Sequence, residues 1–388
     1  MSKSTLCVSA VALSLMLGLA PADAAELKIG AEIPLSGNLA RVGSAMNEGI
    51  QVAAEMFNKK NGKHTVKVLV VDDESSPAKA VGAVEKLAAD GVIAYTGGYG
   101  SNIIGPASEA AEKLGKVYIT SGGVASELTK RGLKTFFRIN SSEGYARALM
   151  GMFSEVGIKS VAVVYSTKEA TEEVAKMLQT GLGAKGVKVT MHAFDPATND
   201  FKPIVHKIKL QDRPEAIAMI GYENDYVGIL RAAKVLKPDI KTIAGVWSLA
   251  TSKMAAEFPD LMENVSGTST LSYPAVFTTP EAKEFAETYQ KMFNKAPDYL
   301  GIFGYVQSKL LFDAVARAAD AGTIDKGGVA SELRKTKTES VIGKVSFDEA
   351  GDNPEFTHRM GQHQAGKVEL VWPLEAATGK MKYPALPW

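Results

Sequence analysis

Ser101 and Asn102 stand directly behind Gly97, Gly98 and Gly100, and further along Ser121, Gly122 and Gly123 precede Val124. These residue types serve anion chemistry. A hydroxyl and a carboxamide offer hydrogen bonds, and glycines let bare backbone N–H groups approach an oxyanion closely. Each set follows a short apolar run (Val92 to Tyr95, Val117 to Ile119) and precedes a helical pattern, in the first of which Ile103, Ala107, Ala110 and Leu114 share one face. The spacing therefore predicts two adjacent βα turns forming one cradle, with Ser101 and Asn102 as capping residues at the helix start, where an open α/β sheet binds ligands. A dinucleotide is disfavoured, because Gly98, Gly100 and Ile103 give GxGxxI without the third glycine.

Other chemistry is harder to find. The five histidines (His64, His192, His206, His358, His363) show no metal-ligand pairing, and no GxSxG elbow or P-loop occurs. Asp72-Asp73-Glu74 ends a strand, and three consecutive strand residues cannot all face one ion, so no metal is expected. Cys7 is the only cysteine and stands at the start of an apolar run rather than after it, which argues against lipid attachment. Neither catalysis nor a cofactor is expected.

The elements that must position the cradle follow from periodicity. Lys3, the apolar run Leu6 to Ala20 and Ala22-Asp23-Ala24 read as a signal peptide over residues 1–24, cleaved near Ala24, which predicts an exported protein without disulfides. From Leu27, strand and helix patterns alternate to Asn140, then start afresh from Val161 to Ala244. Two such series predict an α/β protein of two doubly wound lobes. Two long helices, Pro280 to Phe293 and Gly301 to Ala321, and the strand-like runs Gly343 to Phe347, His358 to Gln364 and Val368 to Trp372 complete them. The expected division is 25–141 plus 272–357 for one lobe and 142–271 plus 358–388 for the other, with three crossings near Ser142, Ser272 and Thr357. With 388 residues, 46% hydrophobic and 22% charged, and a net charge of +1, the chain has ample core and no basic run for nucleic acid.

The stretches EIPLSGNLARVG, VDDESSPAKAV, GSNIIGPAS, ITSGGVASELTKRG, GYENDYVGILRAAK and GKVSFDEAGD resemble, over essentially the whole mature length, periplasmic solute-binding proteins of the branched-chain amino acid group of ABC transporters. The resemblance implies the type I periplasmic binding fold, two Rossmann-like lobes on a three-segment hinge. It implies a monomer that is no enzyme, holds one small solute between its lobes and delivers it to an inner-membrane permease. In that resemblance Ser101 meets a ligand carboxylate, Gly122 uses its backbone, and Tyr222 is a pocket tyrosine.

Other positions depart from the group. Val124 replaces a threonine, Val42 and Ala170 replace tyrosines, and Trp247 stands near the place of the acidic residue that would hold an α-ammonium. A buried ammonium without its carboxylate costs several kcal/mol. The expected solute is therefore an aromatic or otherwise flat organic acid. Its carboxylate would meet Ser101, Asn102 and Gly122 to Val124, its ring would lie against Tyr222, Trp247 and Tyr99, and Arg41 would be a second anchor. The alternatives are a hydrophobic amino acid held by Glu223 or Asp225, and a neutral amide or urea. A sensor module and a hydrolase using Ser101 are the readings from other classes.

Overall fold

The computed structural model describes residues 24–277, 279–356, 358–386 and 388. The expected signal segment through Asp23, with Cys7, lies outside them, as does Thr357 at the expected third crossing.

The first series runs β1 (Glu26–Ile33), α1 (Ala40–Lys60), β2 (Thr65–Asp72), α2 (Pro77–Ala89), β3 (Ala94–Gly97), α3 (Ser101–Lys113), β4 (Tyr118–Thr120), α4 (Glu127–Lys130) and β5 (Phe136–Arg138). Its strands form a parallel sheet of order β2-β1-β3-β4-β5. The second series runs α5 (Ser142–Glu155), β6 (Ser160–Ser166), α6 (Glu169–Ala184), β7 (Lys188–Phe194), α7 (Lys202–Lys207), β8 (Ala216–Ile220), α8 (Glu223–Leu236), β9 (Thr242–Gly245), α9 (Ser252–Glu257), α10 (Pro259–Met262) and β10 (Ser266–Ser269). Strands β6 to β10 repeat the order of the first sheet. Each lobe thus has a switch point beside its first strand, where chains leave in opposite directions and a crevice opens.

The chain then returns to the first lobe with α11 (Pro280–Phe293), α12 (Tyr299–Asp320), α13 (Gly328–Arg334) and a hairpin of β11 (Lys337–Ser340) and β12 (Gly343–Ser346). It ends in the second lobe with β13 (Arg359–Gln364) and β14 (Lys367–Trp372), which extend the second sheet antiparallel from β10. Helix α12 is apolar on nearly all sides and is buried in the first lobe's core with α1 and the β1–β5 sheet. Glycines let α1 and α12 touch backbone to backbone: a Cβ on Gly49 would lie 1.9 Å from the Gly301 carbonyl oxygen, and one on Gly304 2.2 Å from that of Met46.

Several local expectations shift. The strand expected at Val92 to Tyr95 lies at Ala94–Gly97, and the N-cap of α3 is Gly100 (φ 97°), not Ser101 or Asn102. Glycine alone takes that dihedral without strain, so Ser101 is pushed into the first turn of the helix.

Candidate functional site

The two glycine-rich turns are joined first to each other. Tyr99 and Gly122 form a parallel bridge, and Gly100 N–H donates to the Gly122 carbonyl at 3.0 Å. The Ser101 hydroxyl accepts from the Val124 and Ala125 amides at 3.1 and 3.0 Å, while the Thr120 hydroxyl accepts from Gly122 N–H at 2.8 Å. Beneath them lies the buried Arg138, whose guanidinium donates to the Ala125 carbonyl at 2.6 Å and pairs with Asp352. The amides expected to receive a ligand carboxylate are therefore largely spent on holding the turn itself. Asn102 is exposed, and Val124 packs with Ala125 into the second lobe's core.

What the turn does position is Tyr99. Its ring lines a cavity of about 40 Å³ together with Arg41 and Val42 of α1 from the first lobe and Tyr222, Glu223 and Trp247 from the second. Of the residues expected from sequence, Arg41, Tyr99, Tyr222 and Trp247 thus meet at one place. Ser101, Gly122, Gly123 and Val124 build the turn that carries Tyr99, and Asn102 stands outside. Ala170 is buried in the second lobe's core.

Tyr222 and Trp247 follow the carboxyl ends of β8 and β9, as the fold rule for ligand crevices requires. Tyr222 begins α8 in a reciprocal cap, its N–H donating to the Asp225 carboxylate at 2.8 Å, so Asp225 is a structural cap and not a free acid. The Tyr222 and Trp247 rings lie 11° from parallel with centroids 5.8 Å apart. Trp247 also touches Tyr145 (5.3 Å between ring centroids), whose hydroxyl meets that of Tyr299 across the lobes.

Charge enters the cavity through one pair. Arg41 Nε lies 3.2 Å from Glu223 Oε2, and its guanidinium also pairs with Glu257. Burial pushes the Glu223 carboxyl up, while Arg41 and Lys253 pull it back. Asn38, Tyr226 and Ser248 line the same cavity and were not foreseen. Tyr226 could have been, since it stands four residues after Tyr222 on the same helix face.

The acidic triplet is structural. Asp72 accepts from the amides of Leu35, Ser36 and Glu74 at 2.8, 3.2 and 2.8 Å. Asp73 is buried against Glu32, and Glu74 pairs with Lys79. Among the described residues no three His, Cys, Asp or Glu side chains are grouped to hold a metal ion.

The model of a family described as "Periplasmic binding protein" matches residues 26–367. Leu/Ile/Val-binding protein homolog 7 of Brucella abortus (strain 2308) is 28% identical over 408 aligned positions, covering 99% of this chain and 100% of that protein. The crystal structure of the branched-chain amino acid transporter substrate binding protein LivJ from Streptococcus pneumoniae, in complex with isoleucine, superposes with a TM-score of 0.79 at 25% identity, covering 90% of this chain and 100% of the other. A solute binding protein of an ABC transporter from R. palustris, in complex with benzoate, does so with a TM-score of 0.79 at 19% identity, covering 93% and 97%.

Proposed function

Since the chain belongs to the periplasmic binding protein family, we propose that it is the solute-capturing component of an ABC importer and takes a small aromatic carboxylic acid between its lobes. The observation that carries this reading is the inter-lobe cavity walled by Tyr99, Tyr222, Tyr226 and Trp247, with Arg41 at its edge. Flat rings on both lobes suit a flat ligand, each stacked ring adding roughly 0.5–1.5 kcal/mol beyond area burial. Arg41 is the cation for its carboxylate. The fold accommodates such a solute in the R. palustris protein, as it accommodates isoleucine in the pneumococcal one.

At about 40 Å³ the cavity is well below the roughly 150 Å³ that admits benzene, so binding requires Tyr222 or a lobe to move. A solute touching both lobes then stabilises the closed form, which the permease recognises. In this reading residues 25–141 plus 272–357 close upon 142–271 plus 358–388, as a monomer in the periplasm after removal of residues 1–24.

One observation favours a second reading. Arg41 and Glu223 put opposite charges side by side at the cavity, and these suit the two ends of an α-amino acid. A thermal-shift screen of the refolded mature protein against aromatic acids and α-amino acids decides. A ligand at 100 times its dissociation constant adds about 2.7 kcal/mol of stability. A raised midpoint with benzoate-like acids supports the first reading, and one with leucine-like amino acids alone overturns it.

A further inference from the structure

A second, larger cavity of about 390 Å³ adjoins the first and shares Asn38, Leu39, Tyr222 and Asn224 with it. It opens where β6 and β8 part, which is the switch point of the second lobe. Its lining carries two cations, Lys168 and Arg231, against one carboxylate, Asp225, which caps Tyr222 and also attracts Lys168, so the lining keeps one cation in excess. Lys168 Nζ lies over the Tyr222 ring, 4.6 Å from its centroid. Ser166, fully buried at the end of β6, is among the residues that line the cavity, and its hydroxyl has no hydrogen-bond partner among the described residues. An unmatched hydroxyl and a desolvated ammonium in the lining of one cavity are both stabilised by an oxyanion.

We propose that this outer cavity is a subsite for the distal carboxylate of an elongated aromatic acid, bound by Lys168 and Ser166, with the Tyr222 ring as the movable partition between it and the inner cavity. The proposal rests on the aromatic-acid reading and extends it to a preference for dicarboxylates.

The test compares 3-phenylpropenoate with its 4-carboxy derivative by calorimetry on the mature protein. The dicarboxylate should bind at least tenfold more tightly. In Lys168→Met that ratio should collapse to about one, in Ser166→Ala it should fall severalfold, and in Lys168→Arg it should be restored, all three melting as the parent does. If phenylpropenoate binds and the ratio in the parent is near one, the subsite is refuted and the aromatic-acid reading stands. If Lys168→Met weakens both acids equally, the lysine only props Tyr222 and the subsite again falls. If neither acid binds, both readings fail together.

Discussion

Tyr222 and Trp247, from different turns of the second lobe, hold their rings within 11° of parallel in the wall of the inter-lobe cavity. Trp247 is only 4% exposed and belongs to that lobe's core as well, so its two roles must be separated. Trp247→Phe keeps a ring and most of the buried area; it should fold normally and lose less than tenfold in affinity for an aromatic acid. Trp247→Ala should lose more than tenfold and also melt earlier, because truncating a buried large aromatic costs about 3–5 kcal/mol. Calorimetry and a melting curve on both variants check this. Unchanged affinity in Trp247→Ala would remove the residue from the site.

Glu223→Gln separates the two candidate solutes. Arg41 then loses one of its two carboxylate partners. An aromatic acid should bind as well or a few times better, whereas an α-amino acid held through its ammonium should bind at least tenfold worse. Titrating both ligand types into the variant gives the answer, and a tenfold loss for the aromatic acid would contradict its assignment.

Ser101→Ala should act on stability before affinity. The variant leaves two buried amides, of Val124 and Ala125, without an acceptor, at about 1–3 kcal/mol each. Urea denaturation should show a clear loss. Full stability with a tenfold loss of affinity would instead make Ser101 a direct ligand contact.

Two buried groups give stability a pH dependence on opposite sides. Glu32 is wholly buried; desolvation and the adjacent Asp73 carboxyl push its pKa well up, with the Tyr118 hydroxyl opposing. Its contribution is complete below the ordinary carboxyl value of 4.5 and is lost as pH rises through the raised folded value, so Glu32→Gln should flatten the alkaline fall in melting temperature. His358 is pushed well below 6.5 by burial against Tyr145 (ring centroids 3.6 Å apart). Its neutral form is favourable above 6.5, and that contribution is lost as pH falls, so His358→Phe should flatten the acid side. Melting curves from pH 4 to 9 on the parent and each variant check both slopes (about one pH unit apart is sufficient).

The alternating elements were legible because each strand run is apolar and each helix has one apolar face. β10 was not: Ser266-Gly267-Thr268-Ser269 has no apolar alternation, yet all four residues are buried between β9 and β13. The meeting of Arg41, Tyr99, Tyr222 and Trp247 was legible through the family's turns. The inward use of Ser101 was not, since a hydroxyl at a helix start looks the same whether it faces a ligand or the next turn. Lys168 was equally hidden, because its place over Tyr222 is set by two segments far apart in sequence.

The threading of the chain bears on its biogenesis. β1 to β5 are complete at Arg138, but the helix that seals them, α12, begins only at Tyr299, and the second sheet waits for β14, which ends at Trp372. A nascent chain emerging from its amino end cannot finish the first core before α12 is made, nor the second sheet before β14. Closing each core therefore depends on contacts distant in sequence, which slows it. A polypeptide whose cores close late is one that can be threaded through a narrow translocation channel before it folds.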